Sequence, residues 1–298
     1  MHFSIVVAAL SSAVSAHGVV LSVEGANGVS MPGLSIADGT PRDCSSNRCG
    51  SQADTSIIRD REIRSGEASA LGRTQGNGPV DASVMISNFL GGGSTNVPTN
   101  NGSSASVGVE DNISNLPQNR RNRQKRQFRN LLGGLFGGGS GGQGNKNETP
   151  EEVSVAATAG DGASSGLPTA ADNGEITLTY RQINQDGAGP MTADIDGTSG
   201  GTDPDAFRSA EVTQDVPGLG IQGLSLATNT DFPLKVQMPQ GMTCEGSVGG
   251  ANNVCIVRVR NGAAAGPFGG SGAFTQSASA RKRAIAYRLK KRMEIIRK

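Results

Sequence analysis

The sequence predicts an all-β protein, an antiparallel β-sandwich with long loops. Apolar and polar residues alternate with a period of two in residues 175–183, 234–238 and 254–260. Turn-forming Gly, Pro and Asn separate these stretches, and 44 of the 298 residues are glycine. Alternation of this kind gives each strand one buried face, and such strands joined by turns are typical of sandwiches.

Residues 1–16 have the features of a secretory signal peptide. A short apolar run ends in small residues, with Val14 and Ala16 suited to positions −3 and −1 of a cleavage site. No second apolar run is long enough to cross a membrane. We therefore expect a secreted chain, extracellular or associated with a cell wall, whose mature form begins at His17.

The first part of the predicted sandwich covers residues 17–90. Residues 19–24 read as a strand directly after the new terminus, and residues 25–50 are rich in turns. Residues 56–63 predict a short helix. The second part of the same domain is expected over residues 151–280.

Residues 91–150 interrupt the pattern and predict a disordered, glycosylated insertion. Two glycine-rich runs flank polar and basic stretches, and this composition buries too little apolar surface to fold. Three glycosylation acceptors are expected to be exposed there: Asn101, Asn112 and Asn147. The basic run at 120–126 offers dibasic cleavage sites, and the scarcity of aromatic residues beside it argues against nucleic-acid binding.

Four cysteines predict two disulfides in an oxidising compartment. Three pairings exist. Loop closure favours Cys44–Cys49 and Cys244–Cys255, because each closes a short loop. The spacings do not match the CxxC pairs of zinc sites.

The last 18 residues form a separate basic tail, 281–298. They hold nine Lys or Arg and one Glu, whereas the rest of the chain has 18 basic and 25 acidic residues, or about −7. Ile285, Leu289, Met293 and Ile296 follow helical spacing. Such a helix could lie on an anionic membrane or wall polymer. The simpler interpretation is a solvated helix with one face on the body.

The residue that carries the functional hypothesis is His17. As the first residue it would hold an α-amine and an imidazole, which together can chelate one transition metal, most favourably copper. The alternative is that histidine follows the cleavage site by chance.

Two stretches resemble the Egh16-like family of filamentous fungi, which includes the appressorium-specific Gas and Mas proteins of plant pathogens. They are the start, His17-Gly18-Val19-Val20 with Asp43-Cys44, and residues 244–261 followed by 265–271. The resemblance covers most of the mature chain except the insertion. It implies a secreted protein of the infection stage with a role in virulence.

The His-Gly start is also similar to that of lytic polysaccharide monooxygenases. In those enzymes the terminal amine, its imidazole and a second histidine form a three-nitrogen copper site that acts on polysaccharides such as chitin. Only His17 carries over, because the other histidine, His2, leaves with the signal peptide. Asp43 or Gln276 could complete such a site.

Other enzyme classes are disfavoured by composition. Nucleophilic mechanisms of the Ser–His–Asp or Cys–His type need an internal histidine, and the mature chain has none. No pair of acidic residues stands out for glycoside hydrolysis, and tryptophan is absent. Two hypotheses remain: copper-dependent oxidation of chitin or a related wall polymer through His17, or a non-catalytic surface or effector protein that binds a wall polymer or a host partner.

Overall fold

The computed structural model describes residues 17–45, 49–93, 96–100, 144–147, 149–185, 187–218, 223–263 and 266–296. These residues form fourteen strands, nearly all antiparallel. The strands, in chain order, are β1 Gly18–Glu24, β2 Ser30–Pro32, β3 Ser56–Ile57, β4 Arg73–Thr74, β5 Gly78–Pro79, β6 Asn145–Lys146, β7 Thr169–Ala170, β8 Glu175–Gln182, β9 Thr192–Asp196, β10 Phe207–Gln214, β11 Thr230–Gln237, β12 Gly246–Val248, β13 Ala251–Arg260 and β14 Phe268–Gln276.

Helices are few, as the predicted fold class requires. They are α1 Asp60–Ser65, α2 Ala82–Phe89, α3 Ser154–Ala157, α4 Gly162–Ser165 and α5 Ala278–Ile296, with one 3-10 turn at Pro204–Ala206. The long helix α5 follows β14 and coincides with the predicted basic tail. No helix among the described residues is both long and apolar enough to cross a bilayer.

The strands are hydrogen-bonded in the order β2-β1-β8-β11-β10-β9-β13-β14-β3-β4-β5. Strand β10 is the corner of this arrangement, because its second half pairs with β11 and its first half with β9. The parallel exception is β7, which pairs with the end of β14. The sheet thereby folds over on itself, with β1 and β8 on one side and β13 and β14 on the other.

The main core lies between these two sides. On β13 the alternate residues Cys255, Val257 and Val259 face it, as the period-two pattern predicts. They meet apolar side chains from β1, β8 and β11, among them Val20, Val23, Leu178, Tyr180, Leu234 and Val236. Burying one face of each strand in this way supplies most of the hydrophobic stabilisation.

A second apolar cluster covers the outer face of β13. Val254 and Ile256 point into it, and helix α2 packs there through Met85, Ile86 and Phe89. The spacing of these three residues puts them on one side of the helix. Asp81 caps the helix by accepting a hydrogen bond from the Ser83 backbone N–H at 2.8 Å. The sandwich therefore carries a helical layer that the sequence analysis did not predict.

The predicted helix at 56–63 is wrong in its first half. Ser56–Ile57 form strand β3, paired with the start of β14, and the helix α1 begins only at Asp60. Ile57 and Ile58 are both fully buried, and β-branched residues suit a buried strand better than a helix end. Tertiary pairing therefore overrides the local helical pattern.

The predicted insertion at 91–150 is too wide, because both of its ends belong to the sandwich. Thr99 forms a bridge with Asp38, and strand β6 pairs with β11. Residues 101–143 lie outside the described residues, as do the predicted signal peptide 1–16 and the predicted acceptors Asn101 and Asn112.

The third acceptor, Asn147, is half-buried rather than exposed. Its amide nitrogen, the atom that would carry a glycan, donates to Asp231 Oδ2 at 3.0 Å. A glycan at Asn147 would replace one of the two amide hydrogens, so the nitrogen would keep a single N–H for Asp231.

Both predicted disulfides are confirmed. Cys44 pairs with Cys49 and Cys244 with Cys255, at sequence separations of 5 and 11 residues. The second disulfide ties the segment before β12 to the middle of β13, inside the main core.

Candidate functional site

His17 lies at the entrance of β1 and is held by backbone pairing. Its carbonyl accepts the Ile183 N–H at 3.0 Å, which extends the β1–β8 pairing of Gly18 with Gln182 by one position. His17 is therefore an anchored residue of the sheet rather than a loose end.

The His17 backbone nitrogen has a defined partner that sequence reasoning missed. It donates to the Asn184 side-chain oxygen Oδ1 at 2.7 Å, in a buried environment. Asn184 is fixed in turn by Gln182, whose Nε2 donates to the Asn184 carbonyl at 2.9 Å and to the Ala227 carbonyl at 2.8 Å. After cleavage at Ala16 this same nitrogen would be the α-amine.

The His17 imidazole packs on an aromatic ring. The ring centroids of His17 and Phe268 are 4.2 Å apart with the planes at 33°. Phe268 forms a small buried cluster with Ile57 and Ala263, and its N–H donates to Asn261 Oδ1 at 3.1 Å. His17 itself is fully buried.

Gly187 allows its backbone to approach His17 closely, and Gly18 leaves room for the hydroxyl of Tyr180. A side-chain carbon at Gly187 would sit 2.0 Å from the His17 carbonyl oxygen, and one at Gly18 would sit 2.1 Å from the Tyr180 hydroxyl. That hydroxyl donates to the Gly187 carbonyl at 3.0 Å. Burial, with a smaller contribution from the charge of Asp215, raises the pKa of Tyr180, so the phenol stays protonated and acts as a donor.

Of the two other predicted ligands, Gln276 is not brought to His17, whereas Asp43 stays a prediction. Gln276 ends β14 whereas Phe268 begins it, a separation of about 26 Å along an extended strand. Its Nε2 donates instead to the Met242 carbonyl at 3.3 Å. The Asp43 side chain is exposed, unlike the buried His17.

Among the described contacts, the groups at His17 that could bind a metal are its backbone nitrogen, its imidazole and the Asn184 amide oxygen. Within the described ranges no group of three or more His, Cys, Asp or Glu could hold a metal ion. This set does not match a three-nitrogen copper site. It is compatible with a two-nitrogen chelate, because a neutral α-amine that binds a metal through its lone pair keeps N–H bonds to offer Asn184.

Two acidic residues elsewhere, Asp54 and Glu152, are paired with the buried Arg42. Arg42 Nη2 contacts Asp54 Oδ2 at 2.6 Å and Glu152 Oε2 at 2.9 Å. Burial alone would raise the pKa of Glu152, but the positive charge of Arg42 and hydrogen bonds from Ser154 hold it below its usual range. This carboxylate is ionised at neutral pH and is not suited to act as a general acid.

Comparison with known proteins gives one family and two named relatives. Residues 15–269 match the family model described as Egh16-like virulence factor. The appressoria-specific virulence factor GAS2 of Pyricularia oryzae is 54% identical over 282 residues, which cover 94% of this chain and 90% of that protein. The appressoria-specific virulence factor GAS1 of the same fungus is 39% identical over 134 residues, 44% of this chain and 51% of that protein. No solved structure matches the chain.

Proposed function

The chain belongs to the Egh16-like family of virulence factors, and from that premise we propose that it is a secreted fungal protein of the infection stage that contributes to virulence. The observation that carries the proposal is the 54% identity with an appressoria-specific virulence factor over 94% of the chain. Identity of this extent covers both halves of the sandwich, and it supports the same fold and a similar role for this chain.

Secretion is supported by chemistry that is independent of the relatives. Both disulfides join cysteines that would otherwise be free thiols, and disulfides persist mainly in oxidising compartments. The signal-like residues 1–16 fit the same route. We place the mature protein outside the cell or at the wall, where a wall polymer such as chitin or a host partner would be its target.

The role in infection is tested by deleting the gene in the fungus that encodes it. We expect appressoria to form and penetration of host tissue to fall, with recovery when the full gene is returned. A returned gene that lacks the codons for residues 2–16 serves as the control for secretion and should not restore penetration. Normal penetration by the deletion strain would overturn the proposal.

Copper binding at His17 is a second candidate. One observation favours it: backbone pairing and Asn184 hold the future α-amine in place at 2.7 Å, so a chelate would not have to order a free chain end. The amine and imidazole of His17 would bind the metal, and the bound metal would supply redox chemistry. Since the donor set lacks a third nitrogen, we derive no oxidative step on chitin.

The copper hypothesis is tested by calorimetric titration of secreted protein whose N-terminus has been sequenced. We expect micromolar or tighter binding that is lost in His17→Ala. A matched control blocks the α-amine of His17 by acetylation, which keeps the imidazole but removes the amine from the chelate, and it should also lose binding. Copper binding that survives in either protein would overturn the assignment of the site to His17. The non-catalytic role in infection would then be the remaining hypothesis.

A further inference from the structure

We propose that the C-terminal helix α5 is a docking surface for an anionic lipid bilayer and lies in the plane of the bilayer interface. The helix has one face on the sandwich and one face in solvent, and the two faces differ in chemistry. This assignment does not depend on His17 or on the infection role. It concerns a segment beyond residue 269, where the family match ends.

The first half of α5 is anchored to the sandwich. Ala280 and Ala284 are buried, and Ser279 Oγ donates to Asp172 Oδ1 at 2.7 Å. Arg288 Nη2 donates to Thr243 Oγ1 at 3.1 Å. These contacts fix the rotation of the helix about its axis, so they decide which side chains face solvent.

The solvent face carries an unusual share of exposed apolar surface. Six of the eight exposed large apolar side chains in the described part of the chain belong to α5. Four of them form the stripe noted in the sequence, with exposed fractions of 39% for Ile285, 54% for Leu289, 56% for Met293 and 83% for Ile296. Exposed apolar groups concentrated on one element indicate a partner.

Helical geometry places this stripe away from the sandwich. At about 100° per residue, Ile285, Leu289, Met293 and Ile296 share one sector, on the opposite side of the helix from Ala280 and Ala284. Cations border the stripe, with Arg292 on one side and Lys290 on the other. An apolar stripe flanked by cations is the pattern of helices that lie at a membrane surface.

Charge points to an anionic partner. Between Ala278 and Ile296 the helix holds seven Lys or Arg and one Glu, Glu294. Clusters of this size beside a bilayer are attracted to acidic headgroups.

Among a bilayer, a second copy of this chain and an acidic polysaccharide, the bilayer offers both properties that the helix requires. A second copy of this chain presents an acidic body, but outside α5 its described residues expose only Val153 and Leu226 as large apolar side chains. An acidic polysaccharide would pair with the cations, but it has no apolar interior in which the apolar stripe could be buried. From Ile285 to Ile296 the stripe is about 17 Å long, too short to span a core of about 30 Å, so the helix lies on the bilayer.

The absence of tryptophan gives a direct test with the full chain. Leu289→Trp would introduce a single tryptophan on the proposed docking face, and Val153→Trp a matched one on the sandwich at another exposed apolar position. On addition of phosphatidylcholine vesicles that contain phosphatidylserine, we expect a blue shift of fluorescence at residue 289 and none at residue 153. Vesicles of phosphatidylcholine alone should shift neither.

Sedimentation with the same vesicles tests charge and apolar contact separately. We expect binding to fall at least about tenfold in the triple variant Lys290→Gln, Lys291→Gln, Arg292→Gln, and by a similar factor in Leu289→Asn, Met293→Asn. A triple variant that removes exposed arginines of the sandwich, Arg61→Gln, Arg64→Gln, Arg208→Gln, should bind like the wild type.

Several outcomes would overturn the proposal. They are no binding to phosphatidylserine vesicles, equal binding to both kinds of vesicle, or equal losses in the sandwich control. Retention on an acidic polysaccharide without any vesicle binding would assign the helix to that polymer instead.

Discussion

At the scale of single residues, Asp196 shows how one buried carboxylate can organise a loop. It ends β9, is fully buried, and accepts hydrogen bonds from the backbone N–H groups of Thr198, Ser199 and Gly201 at 2.7–2.9 Å. Burial would raise the pKa of Asp196, but these donors and the Ser199 hydroxyl outweigh it and hold the pKa below its usual range.

We expect Asp196→Asn to lower the free energy of unfolding by about 2 kcal/mol at neutral pH, because an amide cannot accept from all five donors, which include the hydroxyls of Thr198 and Ser199. The folded-state pKa is depressed, so the carboxylate contributes stability above the unfolded value of about 3.9 and loses it as the pH falls. Urea unfolding from neutral to acidic pH should therefore show the two proteins converging below about pH 4. A gap that stays constant with pH would contradict this account.

Arg42 is the second residue on which a local structure depends. It neutralises Asp54, which is fully buried, and also contacts Glu152, which precedes α3. Removing one partner of a buried ion pair leaves an uncompensated charge. We expect Arg42→Ala to destabilise the protein by about 3–5 kcal/mol, measured by urea unfolding. Arg61→Ala, at an exposed arginine, should change stability little. A mild effect of Arg42→Ala would contradict this account, because it would mean that water solvates the carboxylates of Asp54 and Glu152 in place of the arginine.

His17 itself could be predicted from the signal-like residues before it, but its neighbours could not. Asn184 is 167 residues further along the chain, and Phe268 is brought to the site by the start of β14. The only local signal for Asn184 was its place directly after the predicted strand 175–183. The position of Gln276 at the far end of β14 could not be predicted either, because a single sequence does not reveal which strand ends meet.

At the scale of elements, strands with strong alternation were predictable and glycine-rich ones were not. β8 and β13 match their predicted ranges closely, whereas β14 went unrecognised as a strand. Its glycines serve packing: a side-chain carbon at Gly272 would sit 2.2 Å from Val23 Cγ2 on the facing β1. The two sides of the folded sheet approach each other there, so β14 needs a residue without a side chain at this position. That need is set by the facing strand β1 and cannot be recognised in the local sequence of β14.

The disulfide between Cys244 and Cys255 constrains the hairpin of β12 and β13. It closes a longer loop than Cys44–Cys49, and both of its cysteines are buried in the main core. We expect Cys244→Ala, Cys255→Ala to lower the free energy of unfolding by about 3 kcal/mol, and Cys44→Ala, Cys49→Ala by about 2 kcal/mol. Guanidinium unfolding under non-reducing conditions measures both, and the opposite order would contradict the assignment of Cys244–Cys255 to the core.

At the scale of the whole molecule, the chain divides into an acidic sandwich and a basic helix. The body of about −7 and the tail of opposite sign are covalently joined, yet ion pairing between them is sparse among the described residues. Arg288 lies 3.6 Å from Glu245, with both side chains about half exposed. Pairs of that kind contribute little to stability, so most of the charge of α5 is available to an external partner.

Truncation after Arg288 separates folding from docking. It removes residues 289–298, with five Lys or Arg and one Glu, but keeps Ala280, Ala284 and the bond from Arg288 to Thr243. Since every described residue from 289 onward is exposed, we expect the free energy of unfolding to change by less than about 0.5 kcal/mol while binding to phosphatidylserine vesicles is lost. Differential scanning calorimetry and vesicle sedimentation on the same sample measure both. A fall of several degrees in the thermal midpoint would mean that the outer half of α5 is part of the fold, and its cations would then need a structural explanation.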